Sequence, residues 1–284
     1  MQAAGTSAWV IDLIEALWAG PGNDMHRNEP ERAWDPPLIG FAGGADGLWE
    51  QYKTFVGPFH WTPVEAWRQA YPDVDVAPEA LTVISWILPQ TEATKRDQRE
   101  QTLFPAERWA RTRVYGEQAN HRLRCDVAQA LTDAGYPAVA PMASPRWGIR
   151  DSERYVYTSN WSERHAAYAA GLGTFGLCDG LITPVGKAMR AGSVVARISL
   201  PASPRPYTDH HAYCLFFARG TCGECIDRCP VGAISAAGHD KRACEAHLTR
   251  SRAHVAETYG FDGYGCGLCQ VGVPCESGIP EGIW

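Results

Sequence analysis

Eight of the ten cysteines lie in the last quarter of the 284-residue chain. They fall into two groups whose spacings are Cys214-x7-Cys222-x2-Cys225-x3-Cys229-Pro230 and Cys244-x21-Cys266-x2-Cys269-x5-Cys275. Thiolates at such short spacings are typical ligands of iron–sulfur clusters and of structural zinc. The chemistry predicted for this segment is therefore metal or cluster binding.

The first group resembles the bacterial ferredoxin run C-x2-C-x2-C-x3-C-P, in which three cysteines bind one [4Fe–4S] cluster and the fourth binds the other. The first position of that run falls on Arg219, which cannot ligate iron, so we expect Cys214 to replace it on a longer loop. The crossed arrangement then predicts two ligand sets. They are Cys214, Cys222, Cys225 and Cys275 for one cluster, and Cys229, Cys244, Cys266 and Cys269 for the other.

A pair of four-cysteine zinc sites is the alternative, because zinc also uses C-x2-C pairs. The three-residue spacing before Cys229, the following Pro230 and a helix-starting "PVGAI" segment favour clusters. Two clusters in one small fold lie close enough for electron transfer, so the segment is predicted to conduct electrons.

The rest of the chain has to position this segment. Three prolines between Leu200 and Asp209 predict a boundary, which gives domains 1–205 and 206–284. Upstream, apolar runs predict strands and longer periodic stretches predict helices, which together indicate an α+β domain. The predicted strands are Leu81–Leu88, Ala138–Ala140, Leu181–Thr183 and Val194–Leu200, and the predicted helices follow Ser7 and span 106–134 and Glu163–Ala170.

Composition narrows the classes of function. The net charge is −6, and no run of lysine or arginine provides the footprint expected of a nucleic-acid-binding protein. No apolar stretch is long enough to span a membrane. Residues 1–20 carry no signal peptide, which predicts a cytoplasmic location where thiols stay reduced.

The segments "CGECIDRCPVGAI" and "YGCGLCQ", with Cys244 between them, resemble the double-cluster domain of epoxyqueuosine reductases and reductive dehalogenases. Two upstream segments resemble the same families: "SERHAAYAAGLGTFGL" at 162–177 and "GSVVARISLP" at 192–201. The resemblance covers roughly residues 80–284. It implies a nitroreductase-like domain that holds cobalamin, followed by a small ferredoxin-like domain with two [4Fe–4S] clusters.

The resemblance also implies site residues. Tyr157 lies where these families carry a proton donor, and Arg164 and Lys187 are candidate cations beside it, so these three are the predicted catalytic residues. "GLGTFG" has the dinucleotide spacing but follows a helix and lacks the later acidic residue, so we expect a tight turn against a flat cofactor. The predicted cofactor-binding residues are His121, Gly171, Gly173, Thr174, Phe175, Gly192 and Ser193.

These features predict a cobalamin-dependent reductase fed by an external low-potential donor such as ferredoxin or flavodoxin. Tyr157 in place of the aspartate donor of epoxyqueuosine reductases, together with the acidic charge, predicts a small-molecule substrate and makes tRNA an unexpected partner. The alternatives are a cofactor-free two-cluster electron-transfer protein or partner subunit, and an upstream domain that binds flavin.

Overall fold

The computed structural model describes residues 4–283, which form a mixture of helices and antiparallel strands, as the sequence predicts. The helices are α1 (Ser7–Trp18), α2 (Leu48–Phe55), α3 (Pro63–Trp67), α4 (Glu92–Arg99), α5 (Glu107–Arg111), α6 (Glu117–Asp133), α7 (Glu163–Ala169), α8 (Leu215–Arg219), α9 (Glu224–Asp227) and α10 (Lys241–Tyr259). The strands are β1 (Leu38–Gly43), β2 (Thr82–Pro89), β3 (Ala138–Val139), β4 (Ile149–Ser152), β5 (Val156–Ser159), β6 (Thr174–Phe175), β7 (Leu181–Ile182), β8 (Met189–Ala196), β9 (Ile234–Ser235) and β10 (Gly238–His239).

A four-stranded antiparallel sheet in the order β1-β2-β8-β3 organises the upstream part. Every residue of the central strand β2 is buried, because both faces of the sheet are covered. Its side chains alternate between two hydrophobic clusters, with Val83 and Ile87 on one face and Ile84, Trp86 and Leu88 on the other. Because successive side chains of β2 point to opposite faces, one hydrophobic core forms on each side of the sheet.

The two faces have different neighbours. Helices α1 and α6 cover one face with apolar residues such as Val10, Ile14 and Val127. The other face packs against α7 and a group of tryptophan and tyrosine side chains. That second core continues into the cysteine-rich segment and includes Cys214, Cys225 and Cys275, so packing crosses the predicted boundary at residue 205.

Several local expectations need correction. Helix α1 is capped by Thr6, whose side chain accepts the Trp9 N–H at 3.2 Å, and not by Ser7. Strand β8 begins at Met189, five residues before the predicted start, because Gly192 lies inside it and not in a turn. The segment after Pro230 is a turn leading to β9, not a helix start.

Some elements were not predicted, among them the β4–β5 hairpin and the long helix α10. In the described part of the chain, no helix is both long and apolar enough to cross a membrane.

Candidate functional site

Two adjoining cavities divide the eight downstream cysteines between them. The first cysteine cavity is lined by Cys214, Cys222, Cys225 and Cys275, together with Leu177, Phe216 and Lys187. The second cysteine cavity has a volume of about 230 Å³ and is lined by Cys229, Cys244, Cys266 and Cys269, together with Cys178, Trp109 and three arginines. This division matches the two ligand sets of the crossed arrangement.

Short elements and turns bring these cysteines together. Helix α8 starts directly after Cys214 and ends at Gly220, whose left-handed backbone reverses the chain toward Cys222. Cys244 lies in the first turn of α10, which is capped by the Asp240 side chain. Gly267 has φ +70°, and a Cβ there would lie 2.0 Å from the Trp109 ring, so the turn between Cys266 and Cys269 requires glycine.

Backbone N–H groups point at the sulfur atoms, as is common around clusters. The Ala233 N–H donates to Cys229 Sγ at 3.2 Å. Burial raises the pKa of Cys266 to about 11, although the N–H groups of Leu268 and Gly267 act in the opposite direction. A buried thiol with a raised pKa keeps its proton in the absence of metal. It becomes a thiolate ligand when a metal cation displaces that proton.

Helix α4 of the upstream part clamps the cysteine loops. The buried Gln98 side chain donates to the Cys266 carbonyl at 2.8 Å and accepts the Ala106 N–H at 2.8 Å. Arg99 Nε donates to both carboxylate oxygens of Glu276 at 3.0 Å, and Glu276 Oε2 accepts the Gly272 N–H at 2.6 Å. Both cavities are therefore fixed by polar contacts to a helix that the sequence does not mark as functional.

Lys187 is buried among the cysteines, with 3% of its surface exposed. Its backbone N–H donates to the Cys275 carbonyl at 2.8 Å, and its side chain lines the first cysteine cavity beside Cys275. Burial lowers the pKa of this lysine, but Cys178, Cys275, Cys269 and Cys225 raise it more, so the net direction is upward. No carboxylate within residues 4–283 forms an ion pair with it.

Cys178 lies where the two cavities meet. It is buried, and its thiol is within hydrogen-bonding reach of Cys225 in one set and Cys269 in the other. The sequence does not predict that a ninth cysteine lies between the two sets.

Between residues 4 and 283, no three His, Cys, Asp or Glu side chains converge closely enough to hold a single metal ion. A four-iron cube takes each thiolate at a different iron, so its sulfur ligands surround a volume and do not meet at one point. The arrangement is thus compatible with a cube in each cavity.

The predicted cofactor-binding glycines pack against protein. A Cβ on Gly171 would lie 2.2 Å from the Pro204 carbonyl oxygen, and one on Gly173 would lie 2.2 Å from that of Ile182. Gly192 faces the Trp86 indole, and a Cβ on Gly192 would lie 2.5 Å from the indole nitrogen. The close approach that these glycines allow on the Cβ side is made by the chain itself, and their expected contact with a flat cofactor stays a prediction.

The other predicted cofactor residues are also engaged elsewhere. Thr174 Oγ1 accepts the Tyr213 N–H at 2.8 Å, and Ser193 Oγ accepts Trp161 Nε1 at 3.0 Å and donates to Glu163. The Phe175 ring packs against His165 with centroids 4.9 Å apart. His121 is exposed on α6. These residues do not line a common cavity in the described structure.

The predicted catalytic residues lie in three places. Tyr157 is on the β4–β5 hairpin, where its hydroxyl donates to the Lys241 carbonyl at 3.4 Å. Arg164 donates to the Asp179 carbonyl and lines the second cysteine cavity, whereas Lys187 lines the first. Burial, Glu245 and Cys244 raise the pKa of Tyr157, and the ammonium group of Lys241 lies 5.6 Å from the centre of its ring. A proton-donor role for Tyr157 stays a prediction.

The fold of this chain is shared with a solved structure. A catabolic reductive dehalogenase has the same fold over 95% of this chain and 36% of its own, with a TM-score of 0.50 and 14% identity. No protein-family model matches the sequence.

The sequence comparison is more specific. Epoxyqueuosine reductase of Bacillus anthracis is 32% identical over 130 residues, which are 44% of this chain and 32% of the relative. The matched part is thus about a third of that relative's length. The resemblance to epoxyqueuosine reductases and reductive dehalogenases predicted from the cysteine motifs is confirmed.

The expectation about the substrate needs correction. A solved epoxyqueuosine reductase, which covers 98% of this chain and 67% of its own at 16% identity and a TM-score of 0.48, holds an epoxyqueuosine-modified tRNA stem loop. The name of the curated relative, which refers to a modified nucleoside, contradicts the predicted small-molecule substrate and the exclusion of tRNA. The exclusion was wrong because net charge is a sum over the whole chain and does not report a local binding surface.

Proposed function

We propose that this protein is an iron–sulfur reductase in which two [4Fe–4S] clusters pass electrons to an epoxide-bearing nucleoside of tRNA. The observation that carries the proposal is the division of eight cysteines between two adjoining cavities, four in each. Removal of the epoxide oxygen as water breaks both of its carbon–oxygen bonds, leaves an alkene and takes two electrons and two protons, and two one-electron clusters side by side suit that electron requirement.

The buried charge of Lys187 supports clusters over free thiols. An ammonium group removed from water is costly unless it meets an opposite charge. The groups around Lys187 are cysteines, and only their ionised or iron-bound forms supply negative charge. Two four-thiolate clusters, one on each side, provide it.

The family resemblance implies cobalamin as well, but the residues expected to hold it do not fit. Three of the predicted glycines face protein atoms at 2.2–2.5 Å from where a side chain would begin. The second cysteine cavity, at about 230 Å³, is smaller than usual sites for drug-sized ligands and is proposed to contain a cluster. We therefore assign no step to cobalamin.

The proposed tRNA substrate is supported by the relatives and by a local surface. Arg146, Arg150 and Arg154 are exposed on or beside the β4–β5 hairpin that carries Tyr157. Cations at one exposed hairpin can contact phosphates even on a protein with negative net charge. We place the nucleoside on this side of the molecule, with Tyr157 as its predicted proton donor.

The first experiment is metal analysis of anaerobically reconstituted protein. We expect eight irons per chain, and four in the variant Cys269→Ser, because one ligand set is broken. Cys125→Ser is the matched control, since Cys125 lies outside both cavities, and it should keep eight. Zinc in place of iron would refute the proposal and favour the zinc alternative.

The second experiment tests the substrate. The reconstituted protein, reduced with dithionite, is incubated with an epoxyqueuosine-containing tRNA stem loop, and the nucleosides are analysed by mass spectrometry. We expect loss of one oxygen atom from the modified nucleoside, and no change with Cys269→Ser. Eight irons without any conversion would instead favour the two-cluster electron-transfer protein or partner subunit.

Two finer assignments complete the proposal. Residues 1–205 are proposed to be the nitroreductase-like part and residues 206–284 the ferredoxin-like part that the resemblance implies. A corrinoid or flavin retained by the reconstituted protein on a desalting column would contradict the proposal that no step uses cobalamin. The absorbance of the retained cofactor would identify which of the two is bound.

A further inference from the structure

We infer that Lys187 tunes the reduction potentials of the two clusters. Its ammonium group lies between the two cluster sites and raises the reduction potential of each cluster. The inference rests on the proposed function, because it requires clusters in both cavities. The cysteine spacing does not indicate this role for Lys187.

The geometry places the charge on both sides at once. Lys187 lines the first cysteine cavity, and its backbone N–H donates to the Cys275 carbonyl at 2.8 Å. Its side chain also lies beside Cys178, which lines the second cavity: a Cβ on Gly180 would lie 2.9 Å from Lys187 Cδ and 3.3 Å from Cys178 Sγ. Because the side chain is buried, water and salt screen this charge little.

The absence of a carboxylate partner makes the charge effective. Among residues 4–283, the ion pairs of the upstream part involve other cations, such as Arg124 with Glu163 and Arg99 with Glu276. A lysine already neutralised by a carboxylate would change a cluster potential little. In the described part of the chain Lys187 has no such carboxylate partner, so its field acts on the cavities beside it.

The reaction that the Lys187 charge favours is the one-electron reduction of a cluster. A [4Fe–4S]²⁺ cluster bound in either cavity would take one electron from the external low-potential donor and become [4Fe–4S]⁺, with no bond or proton involved. With four thiolates the complex goes from two negative charges to three, so a nearby cation stabilises the reduced form more than the oxidised form. Removing the cation makes both clusters harder to reduce.

Glycine at 180 leaves room for this lysine. A Cβ at that position would lie 2.9 Å from Lys187 Cδ, so Gly180→Ala should push the side chain aside while keeping its charge. This variant displaces the ammonium group without removing it and complements the direct substitution.

The test is a redox titration of the two-cluster protein with dithionite, followed by electron paramagnetic resonance. Lys187→Met should lower the equilibrium constant for one-electron reduction of both clusters at least tenfold, about 59 mV for each. Lys187→Arg should stay within a factor of about three of the wild type, and Gly180→Ala should shift both clusters in the same direction by less. Arg219→Met removes an exposed cation after Cys214 and should leave both nearly unchanged.

The outcomes separate this inference from the proposed function. Wild-type protein with far fewer than eight irons would overturn the function itself. Eight irons in Lys187→Met with unchanged potentials, or a shift confined to one cluster, would overturn the inference alone. If Lys187→Met does not retain iron, unchanged potentials in Gly180→Ala overturn it.

Discussion

The two ends of the molecule are stabilised in different ways. Helix α6, beside the upstream sheet, has 17 residues of which seven are buried, and every residue of β2 is buried. Helix α10, beside the cysteines, has 19 residues of which three are buried, two of them the polar His247 and Ser251. Helix α8 has no buried residue.

This difference shows where the folding free energy comes from. The upstream part buries enough apolar surface on both sides of its sheet to be stable by packing. The downstream part has few apolar contacts of its own, as is usual for segments whose structure depends on a metal or cluster. It is held by its ligands and by the polar clamp from α4.

The strongest test of this comparison is removal of the clusters. Treatment with a chelator under reducing conditions should increase amide hydrogen exchange throughout α10 and the loops from residue 214 to 275. The strands β2 and β8 should keep more of their protection, because the core on their α1 and α6 side contains none of the eight cysteines. Equal loss of protection in both regions would show that the sheet also depends on the clusters.

The comparison also explains what could be predicted from sequence. Strand β2 and helix α7 follow from apolar patterns because their burial is regular, and the cysteine sets follow from spacing. The roles of Gln98, Arg99 and Lys187 could not be predicted, since each depends on a contact between segments more than 80 residues apart. Gly171, Gly173 and Gly192 were assigned to a cofactor because sequence shows that a close approach is needed but not what approaches.

A smaller effect concerns the buried Glu163 on the upstream side. Burial raises the pKa of Glu163 to about 7, although Arg124 and Ser193 act in the opposite direction. The folded state therefore binds a proton that the unfolded state releases above about pH 4.5, and stability falls as the pH rises from there to about 7. The loss is on the order of 3 kcal/mol.

Urea unfolding of iron-free protein, followed by tryptophan fluorescence, measures this effect. Glu163→Gln should become more stable relative to the wild type as the pH rises from 4.5 to 8, and the difference between the two proteins isolates Glu163 because the buried His60 and His165, whose pKa values are lowered, are present in both. Glu65→Gln is the control, since Glu65 pairs with Lys53 near the surface and should not show this relative gain. A difference between Glu163→Gln and the wild type that stays constant over this range would contradict the buried acid.

The smallest expected effect is on the polar contacts between α4 and the cysteine loops. Arg99→Met leaves the buried Glu276 carboxylate with the Gly272 N–H but without its ion pair, which should cost about 1–2 kcal/mol because Arg99 itself is partly exposed. Arg96→Met on the same helix removes an exposed charge and should cost less than about 0.5 kcal/mol. Faster hydrogen exchange confined to residues 265–283 in Arg99→Met would place the loss in the clamp. Faster exchange in β2 instead would mean that α4 stabilises the sheet, and the two ends would then be less independent than their packing indicates.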